Sequence, residues 1–163
     1  MNGLLENQVA IVTGAGRGIG AATAKLFSEH GAKVVVSDRD AGPAEEVVAQ
    51  IKEAGGQALC VPGDITDPAF PEALAKAAVD AYEKLHVLVN NAGYTWDGVI
   101  HKMTDDQWHA MLAVHNTAPF RMIRAAAPYM REVAKADKNA GREPEPRCIV
   151  NISSTSGTHG NAG

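Results

Sequence analysis

The sequence predicts an α/β fold, in which helices cover both faces of a doubly wound parallel sheet in three layers, α/β/α. Short apolar runs rich in β-branched residues alternate along the chain with amphipathic helical segments. The runs are continuously apolar, which suits strands that are covered on both faces. Parallel strands need crossover connections, and these are almost always right-handed, so the alternation leads to a doubly wound sheet.

The apolar runs define the expected strands. Val87–Val89 is typical, because it is short and has branched residues at both ends. The four main runs are Val9–Val12, Val34–Val36, Val87–Val89 and Ile149–Ile152, and Ala58–Val61 is a weaker fifth.

Helix signals separate these runs. The first helix is expected to bury Ile19, Thr23, Leu26 and Phe27. The second has Pro43 in its first turn and ends at Gly55-Gly56, with an inner face of Val47, Val48, Ile51 and Ala54. The third is expected to start at Asp67-Pro68, with an inner stripe of Phe70, Leu74, Ala77, Ala81 and Leu85.

The last helical segment is the longest. Thr104 and Gln107 form a capping box at its start. Pro119 and Pro128 are expected to bend or interrupt it, because proline removes a helical hydrogen bond. Residues 135–147 are polar and contain glycine and proline, which predicts a long surface loop.

Composition and charge bound the class of protein. The 163 residues are 45% hydrophobic and 21% charged, which fits one globular domain over residues 1–163. The net charge of −4 argues against nucleic acid or an anionic membrane as partner. Cys60 and Cys148 form no paired motif, and we find no signal peptide and no membrane-spanning run. We expect a cytoplasmic protein.

A glycine-rich turn follows the first strand and opens the first helix, reading Thr13-Gly14-Ala15-Gly16-Arg17-Gly18-Ile19-Gly20. Glycine lets a phosphate approach the backbone, and free N–H groups at a helix start favour a negative ligand. Gly16, Gly18 and Ala21 match the spacing of dinucleotide-binding turns. No Gly-Lys-Ser/Thr follows, which excludes a triphosphate loop.

An acidic residue supports the dinucleotide interpretation. Asp38 ends the second strand, about 20 residues after Gly18, where a carboxylate can accept hydrogen bonds from the adenosine ribose and repel a 2′-phosphate. The alternative is a helix cap or a turn carboxylate. Arg39 beside Asp38 could pair with a 2′-phosphate, which would suit NADP, and Arg17 is similarly placed near phosphates. We therefore favour NAD as cofactor, with NADP possible.

Several motifs in order resemble one family. Thr13-Gly14-x-x-x-Gly18-x-Gly20, Asp64-Ile65, Asn90-Asn91-Ala92-Gly93, Asn116 and Ile152-Ser153-Ser154 together look like the classical short-chain dehydrogenase/reductase family, from about residue 8 onward. The stretch from Ser154 to Gly163 is most similar to the 3-oxoacyl-(acyl-carrier-protein) reductases. The resemblance implies a Rossmann-like fold and hydride transfer between a nicotinamide and a ketone or secondary alcohol.

The resemblance also implies roles for residues. Ser154 would donate a hydrogen bond to the substrate carbonyl oxygen, and Asn116 would interrupt the long helix and position a water. Asp38 would hold the ribose, with Asp64 and Ile65 at the adenine. The implied cofactor-binding set is Gly14, Gly16, Arg17, Gly18, Ile19, Gly20, Asp38, Arg39, Asp64, Ile65, Asn90, Ala92 and Gly93.

Each of these residues also has a plainer interpretation. Asn90 could only shape a turn, Asn116 could face solvent, and Ser154 could cap a strand end. No Gly-x-Ser-x-Gly surrounds a serine, so a nucleophile elbow is not supported. The six histidines show no ligand spacing, so we expect no metal site.

The family's Tyr-x-x-x-Lys motif has no counterpart here. Tyr82, Tyr94 and Tyr129 have no lysine four residues later, and the family's spacing would put the motif just beyond Gly163. We expect a C-terminally truncated chain that lacks the family's last helices and strands, is inactive alone, and exposes an apolar flank of its long helix. The alternative is a non-catalytic dinucleotide-binding or interaction module that ends naturally at Gly163.

Substrate and partner expectations rest on the segment after Gly93. An apolar wall for an acyl chain or ketone could be formed by Tyr94, Thr95, Trp96, Ile100, Met103 and Trp108, with His159 nearby; ordinary helix-to-sheet core is the alternative. We expect a 3-oxoacyl thioester or similar hydrophobic ketone as substrate. For a complete chain the resemblance implies a homo-oligomer, paired through the long helix that contains Asn116 and through a further helix that is absent here.

Overall fold

The computed structural model describes residues 3–160, which form a five-stranded parallel sheet in the order β3-β2-β1-β4-β5. Ile11 at the centre of the sheet lies opposite Val35 on one side and Leu88 on the other. The strands are β1 (Val9–Thr13), β2 (Lys33–Ser37), β3 (Gln57–Cys60), β4 (Val87–Asn90) and β5 (Cys148–Asn151). The doubly wound parallel sheet is confirmed.

Helices cover both faces of the sheet. The helices are α1 (Gly18–Glu29), α2 (Ala41–Glu53), α3 (Phe70–Tyr82), α4 (Asp105–Leu112), α5 (Ala118–Asn139) and α6 (Ser156–His159), with a 3₁₀ turn at Ile100–Lys102 and a π-helical turn at Ala113–Thr117. One core lies between the sheet and α1 with α2, and includes Val34 and Val47. The other lies beneath α3 and α5, and includes Leu74 and Met122. These are the three predicted layers.

The predicted inner face of α1 is wrong in part: Phe27 packs against the core and Thr23 is half-buried, but the other two predicted residues are exposed. Ile19 is 68% and Leu26 is 51% exposed, and the buried residues are instead Gly20, Ala21 and Ala24. Small residues on this face let the helix lie close to the sheet, so packing distance, rather than the number of large apolar side chains, sets its orientation.

The predicted start of α3 is also wrong. The helix begins at Phe70, and the side chain of Asp67 accepts a hydrogen bond from Ala69 N (2.9 Å) in the preceding turn. Pro71 occupies the first helical turn, where its missing N–H costs nothing. The inner stripe shifts with this start: Ala81 is exposed, and the buried residues are Pro71, Leu74, Ala75 and Ala78. On α2 the inner face is as predicted, except that Ala54 is exposed.

The long helical segment is interrupted ahead of its prolines. The capping box of Thr104 and Gln107 is present, and the π-helical turn separates α4 from α5. Pro119 lies in the first turn of α5, and Pro128 lies inside α5 without ending it. Burial of Met122, Ala126 and Met130 in the core outweighs the lost hydrogen bond at Pro128. Because α5 continues to Asn139, the predicted loop begins five residues later than expected.

Two elements have unusually exposed residues: strand β5 and the long helical segment. All four residues of β5 are exposed, and the edge of β5 that faces away from β4 pairs with no other described strand. Trp108 and Phe120 are 54% and 59% exposed, which is the expected apolar flank of the long helical segment. Within residues 3–160 no helix has the length and apolarity needed to cross a bilayer.

Candidate functional site

An open cleft of about 1210 Å³ lies beyond the carboxyl ends of the strands, where cofactors bind in doubly wound folds. The cleft runs from the glycine turn to the end of β5, and Ser154 lines its far end. Of the predicted cofactor residues, those that line it are Gly14, Arg17, Gly18, Ile19, Asp38, Arg39, Asp64, Ile65, Ala92 and Gly93.

The glycine turn offers free backbone to the cleft. Gly18 has φ +54°, and a side chain built there would meet no atom within 4 Å. No side chain caps the N-terminus of α1, which begins at Gly18. Uncapped N–H groups and the helix dipole favour an anion at this position.

Two predicted glycines lie outside the cleft and serve packing instead. A Cβ on Gly20 would lie 2.3 Å from Gly14 O and 2.5 Å from Asn91 Nδ2. A Cβ on Gly16 would lie 3.0 Å from an Asp38 carboxylate oxygen. Gly20 needs glycine because backbone atoms approach it closely, whereas a Cβ on Gly16 would require only a small shift of the Asp38 and Pro43 side chains. A direct contact of either glycine with a cofactor stays a prediction.

The Asp38 carboxylate fixes the turn and faces the cleft at once. Its Oδ2 accepts a hydrogen bond from Gly16 N (2.9 Å), and its Oδ1 accepts one from Asp40 N (3.0 Å). Each carboxylate oxygen has a second lone pair, so both remain able to accept a hydrogen bond from a ligand. The carboxylate is thus held in place by the chain, and it lines the cleft together with Ser37.

Arg17 and Asp40 form an exposed ion pair at the same end of the cleft, with 2.7 Å between Arg17 Nη1 and Asp40 Oδ2. The hydrogen bond between the two raises the pKa of Arg17 and lowers the pKa of Asp40. Arg39 is also exposed, with its Nε 4.0 Å from Asp40 Oδ1. The pair links the glycine turn to the chain after β2.

Asp64 closes the next turn along the cleft. Its Oδ1 accepts hydrogen bonds from Thr66 N (2.8 Å) and Thr66 Oγ1 (2.7 Å). These bonds lower the pKa of the Asp64 carboxyl. Ile65 is buried behind it and also contributes to the cleft wall.

The end of β4 is tied to the glycine turn. Asn91 Nδ2 donates to Thr13 O (2.9 Å) and Gly14 O (3.0 Å), and Thr13 Oγ1 accepts hydrogen bonds from Asn91 N and Ala92 N. Asn90 is buried outside the cleft, and its Nδ2 donates to Asn151 Oδ1 (2.8 Å), which joins β4 to β5.

Ser154 is exposed at the far end of the cleft, in the turn after β5. Its Oγ accepts a hydrogen bond from Ser156 N (3.2 Å). Because the oxygen is the acceptor in this contact, the hydroxyl proton is free to be donated to a ligand. Ser153 lines the cleft beside it.

Asn116 is not brought to this cleft. It is exposed in the π-helical turn and lines a separate depression with Leu112, Thr117 and Phe120. Its neighbour His115 lines the cleft instead, and its Nε2 donates a hydrogen bond to Tyr94 O (2.7 Å). A catalytic role for Asn116 stays a prediction.

The predicted apolar wall is brought to the cleft in part. Tyr94, Thr95 and Trp96 line it, but Ile100, Met103, Trp108 and His159 do not. Three cleft residues with titratable side chains were not predicted from the sequence: Asp40, Asp97 and His115. Asp40 had a signal, since a second carboxylate two residues after Asp38 faces the same turn. His115 had none, because one imidazole in a helical segment resembles any surface histidine. Among residues 3–160 no cluster of three metal-ligating side chains occurs.

Comparisons with known proteins agree with this geometry. The family model described as short chain dehydrogenase matches residues 8–163. The chain is 40% identical over 159 residues to 2,5-dichloro-2,5-cyclohexadiene-1,4-diol dehydrogenase LinX of Sphingobium indicum, and 38% identical over 160 residues to 3-oxoacyl-(acyl-carrier-protein) reductase FabG of Vibrio cholerae. Each match covers 98% of this chain and 59% of the relative, so the chain spans about three-fifths of these relatives' length.

Solved structures give the same result. A short chain dehydrogenase from Mycobacterium avium superposes with a TM-score of 0.89 at 36% identity, over 99% of this chain and 57% of that one. A metagenomic short-chain oxidoreductase in complex with NADP superposes with a TM-score of 0.81 at 39% identity, over 97% of this chain and 67% of that one. With its parallel sheet, its glycine turn and a family match over residues 8–163, this chain belongs to the short-chain dehydrogenase family.

Proposed function

We propose that this chain binds NAD, with NADP as the alternative, and forms the cofactor-binding part of an oxidoreductase that transfers hydride between the nicotinamide and a ketone or secondary alcohol. The observation that carries the proposal is the fixed Asp38 carboxylate, which shares one open cleft with the uncapped helix start at Gly18 and with Ser154. The NADP complex of the metagenomic relative supports a dinucleotide in this cleft.

The residues at the glycine turn fit a dinucleotide. The space beyond Gly18, which any larger residue would fill, leaves room for a diphosphate against the N-terminus of α1. Asp38 would accept hydrogen bonds from the adenosine ribose, and the wall formed by Asp64 and Ile65 would lie against adenine. When bound, the nicotinamide supplies or accepts the hydride.

Local charge favours NAD over NADP. Asp38, Asp40 and Asp64 all line the adenosine end of the cleft. Arg17 is paired with Asp40 at 2.7 Å. Arg39 Nε lies 4.0 Å from Asp40 Oδ1, so Arg39 is the more weakly paired of the two arginines. A 2′-phosphate would lie beside the Asp38 carboxylate, and like charges at short range are unfavourable.

Ser154 is proposed as the residue that binds the reacting oxygen. Its free hydroxyl proton would be donated to the substrate carbonyl, polarising the C=O bond toward hydride addition. The product oxygen also needs a proton, and none of the three tyrosines is followed four residues later by lysine. A polypeptide of residues 1–163 is therefore proposed to reduce ketones poorly, because a positioned general acid contributes about 10²- to 10⁴-fold in rate.

For the substrate we propose a 3-oxoacyl thioester or a similar hydrophobic ketone. Tyr94 and Trp96 line the cleft and are each about half exposed, which gives an apolar surface on its wall. The likeness to the Vibrio cholerae 3-oxoacyl-(acyl-carrier-protein) reductase supports this class. The likeness to a cyclohexadiene diol dehydrogenase supports the broader class of ring or chain ketones and secondary alcohols.

Titration with reduced cofactors tests the proposal. NADH and NADPH are each added to the polypeptide of residues 1–163, and binding is followed by nicotinamide fluorescence. We expect NADH to bind more tightly than NADPH. Asp38→Asn should raise the NADH dissociation constant about tenfold or more, because a hydrogen bond to a charged group contributes about 1.5–3 kcal/mol.

The matched control is Asp80→Asn, which removes the same charge from an exposed ion pair with Lys76 on α3 and should leave NADH binding unchanged. Failure of the unmodified polypeptide to bind either dinucleotide would overturn the proposal. An NADH dissociation constant that is equal in Asp38→Asn and Asp80→Asn would overturn the ribose assignment.

A further inference from the structure

His115 lies beside the cleft in an arrangement that neither the family motifs nor the proposed chemistry uses. The π-helical turn buries Val114 in the core and leaves His115 exposed at the cleft. Its Nε2 donates to the backbone oxygen of Tyr94 (2.7 Å), because a carbonyl oxygen can only accept.

The ring is also seated closely against Gly93. A Cβ built on Gly93 would lie 2.5 Å from His115 Cε1 and 3.1 Å from His115 Nδ1, so the imidazole occupies space that any side chain at residue 93 would need. Two independent contacts, one polar and one steric, therefore fix His115 against the chain that leaves β4.

The segment that His115 contacts carries the apolar part of the cleft wall. Tyr94 and Trp96 are 47% and 48% exposed, and residues 94–97 belong to no helix or strand. A loop with half-exposed aromatic side chains has few contacts of its own to fix it. Within the described residues, the hydrogen bond from His115 is the one side-chain hydrogen bond that joins residues 94–97 to a distant part of the chain.

We propose that His115 is a positioning residue that holds residues 94–97 in place as the cleft wall. It acts through the hydrogen bond to Tyr94 O, with Gly93 providing the space for its ring. The effect on ligand binding rests on the proposed function, whereas the effect on the segment does not. His115 thereby sets the positions of Tyr94 and Trp96 in the cleft that a dinucleotide or a ketone would enter.

The test separates the hydrogen bond from the ring. His115→Phe keeps an aromatic ring and removes the donor, whereas His115→Gln keeps an N–H near the Nε2 position. Both variants are made on a Trp108→Phe background, in which Trp96 is the single tryptophan. The mobility of residues 94–97 is measured by acrylamide quenching of Trp96 fluorescence and by the rate of chymotrypsin cleavage after Tyr94 and Trp96.

We expect His115→Phe to raise the cleavage rate about 2- to 10-fold, since a net hydrogen bond is worth about that factor in a local opening equilibrium. Quenching of Trp96 should rise with it, and His115→Gln should restore both values toward the parent. Gly93→Ala, which displaces the ring without changing residue 115, should reproduce the His115→Phe result. Far-UV circular dichroism verifies that each variant is folded.

Equal quenching and cleavage in His115→Phe and its parent would overturn the proposal. An equal rise of both measurements in His115→Phe and His115→Gln would overturn it too. NADH titration adds the second readout: its dissociation constant should rise in His115→Phe and recover in His115→Gln. An unchanged dissociation constant with a freed segment would overturn the ligand part alone. A parent that binds no NADH contradicts the proposed function, while the segment measurements still decide the role of His115.

Discussion

The two ends of the cleft are built differently. At the glycine turn the chain is held by its own bonds: Ala15 N donates to Ser37 O (2.9 Å), Gly16 N donates to Asp38, and Asn91 joins the turn to β4. At the other end Ser154 is exposed, and it follows a strand whose four residues are all exposed. One end is fixed before any ligand arrives, and the other has few internal contacts.

This difference follows from position in the sheet. β1 and β2 are central strands, and their apolar residues are buried by helices on both faces. β5 is an edge strand that pairs only with β4 among the described strands. Local opening costs least where few buried contacts must be broken. We therefore expect substitutions at the glycine turn to lower stability much more than substitutions near β5.

The largest effect is expected for Gly20→Ala. Its Cβ would lie 2.3 Å from Gly14 O, a backbone atom that cannot rotate away, so the turn itself must move. Overpacking of this kind costs about 3 kcal/mol, or about 6–12 °C in Tm for a chain of this size. Thermal unfolding measures it.

Gly18→Ala is the matched control for Gly20→Ala. No atom lies within 4 Å of its Cβ, and only the positive φ of +54° is unfavourable, at about 1–2 kcal/mol. The reverse order of stability would show that backbone conformation, rather than close packing, selects glycine in this turn. Because the added methyl group would enter the cleft, Gly18→Ala should reduce the free energy of NADH binding by more than it reduces the free energy of unfolding.

A smaller effect is expected for Asn91→Ala. The substitution removes the donor shared by Thr13 O and Gly14 O and leaves both carbonyls without that partner. Unsatisfied groups in a half-buried site cost about 1–2 kcal/mol, measured by urea unfolding. Asn116→Ala removes the same side chain from an exposed position and should change stability by about 0.5 kcal/mol or less. Equal losses in both variants would contradict the idea that Asn91 ties the turn to the sheet.

The sequence was most informative where one physical cause decides the structure. Strands such as Val34–Val36 were predictable because continuous apolar runs have few other uses, and the capping box at Thr104 is a local hydrogen-bond pattern. The position of Asp38 at the cleft was predictable for the same reason, since a strand end fixes the direction of the chain.

Prediction failed where tertiary packing chose between similar local options. Ile19 and Leu26 are large apolar residues of α1 that lie exposed, and only Phe27 among its large residues packs against the core. The small residues face the sheet because the helix lies close to it. The π-helical turn shifts the helical register, so that His115 rather than Asn116 lines the cleft. The close approach has no signal in residue type or spacing. The interruption at Asn116 was expected from the family resemblance, but its π-helical register, which decides which side chain lines the cleft, was not.

The smallest effect concerns the attachment of β5 at its amino end. Glu145 accepts hydrogen bonds from Lys84 Nζ (2.8 Å) and from the buried His86 (2.8 Å). The Nδ1 of His86 accepts a hydrogen bond from Val9 N, so its Nε2 carries the proton donated to Glu145. These bonds lower the pKa of Glu145 to about 2 from an ordinary value of 4.5.

A lowered carboxyl pKa stabilises the folded chain above the ordinary value, and that stability is lost as pH falls from about 4.5 through about 2. Glu145→Gln should therefore lower Tm at pH 7 and have less effect as pH approaches 2. Because Glu145 is 45% exposed, its contribution is about 1 kcal/mol or less, about 2–4 °C at most. Glu143→Gln removes the same charge from the same loop and is the matched control. A Glu145→Gln difference that persists unchanged from pH 7 to pH 2 would show that β5 is held there by packing, not by charge.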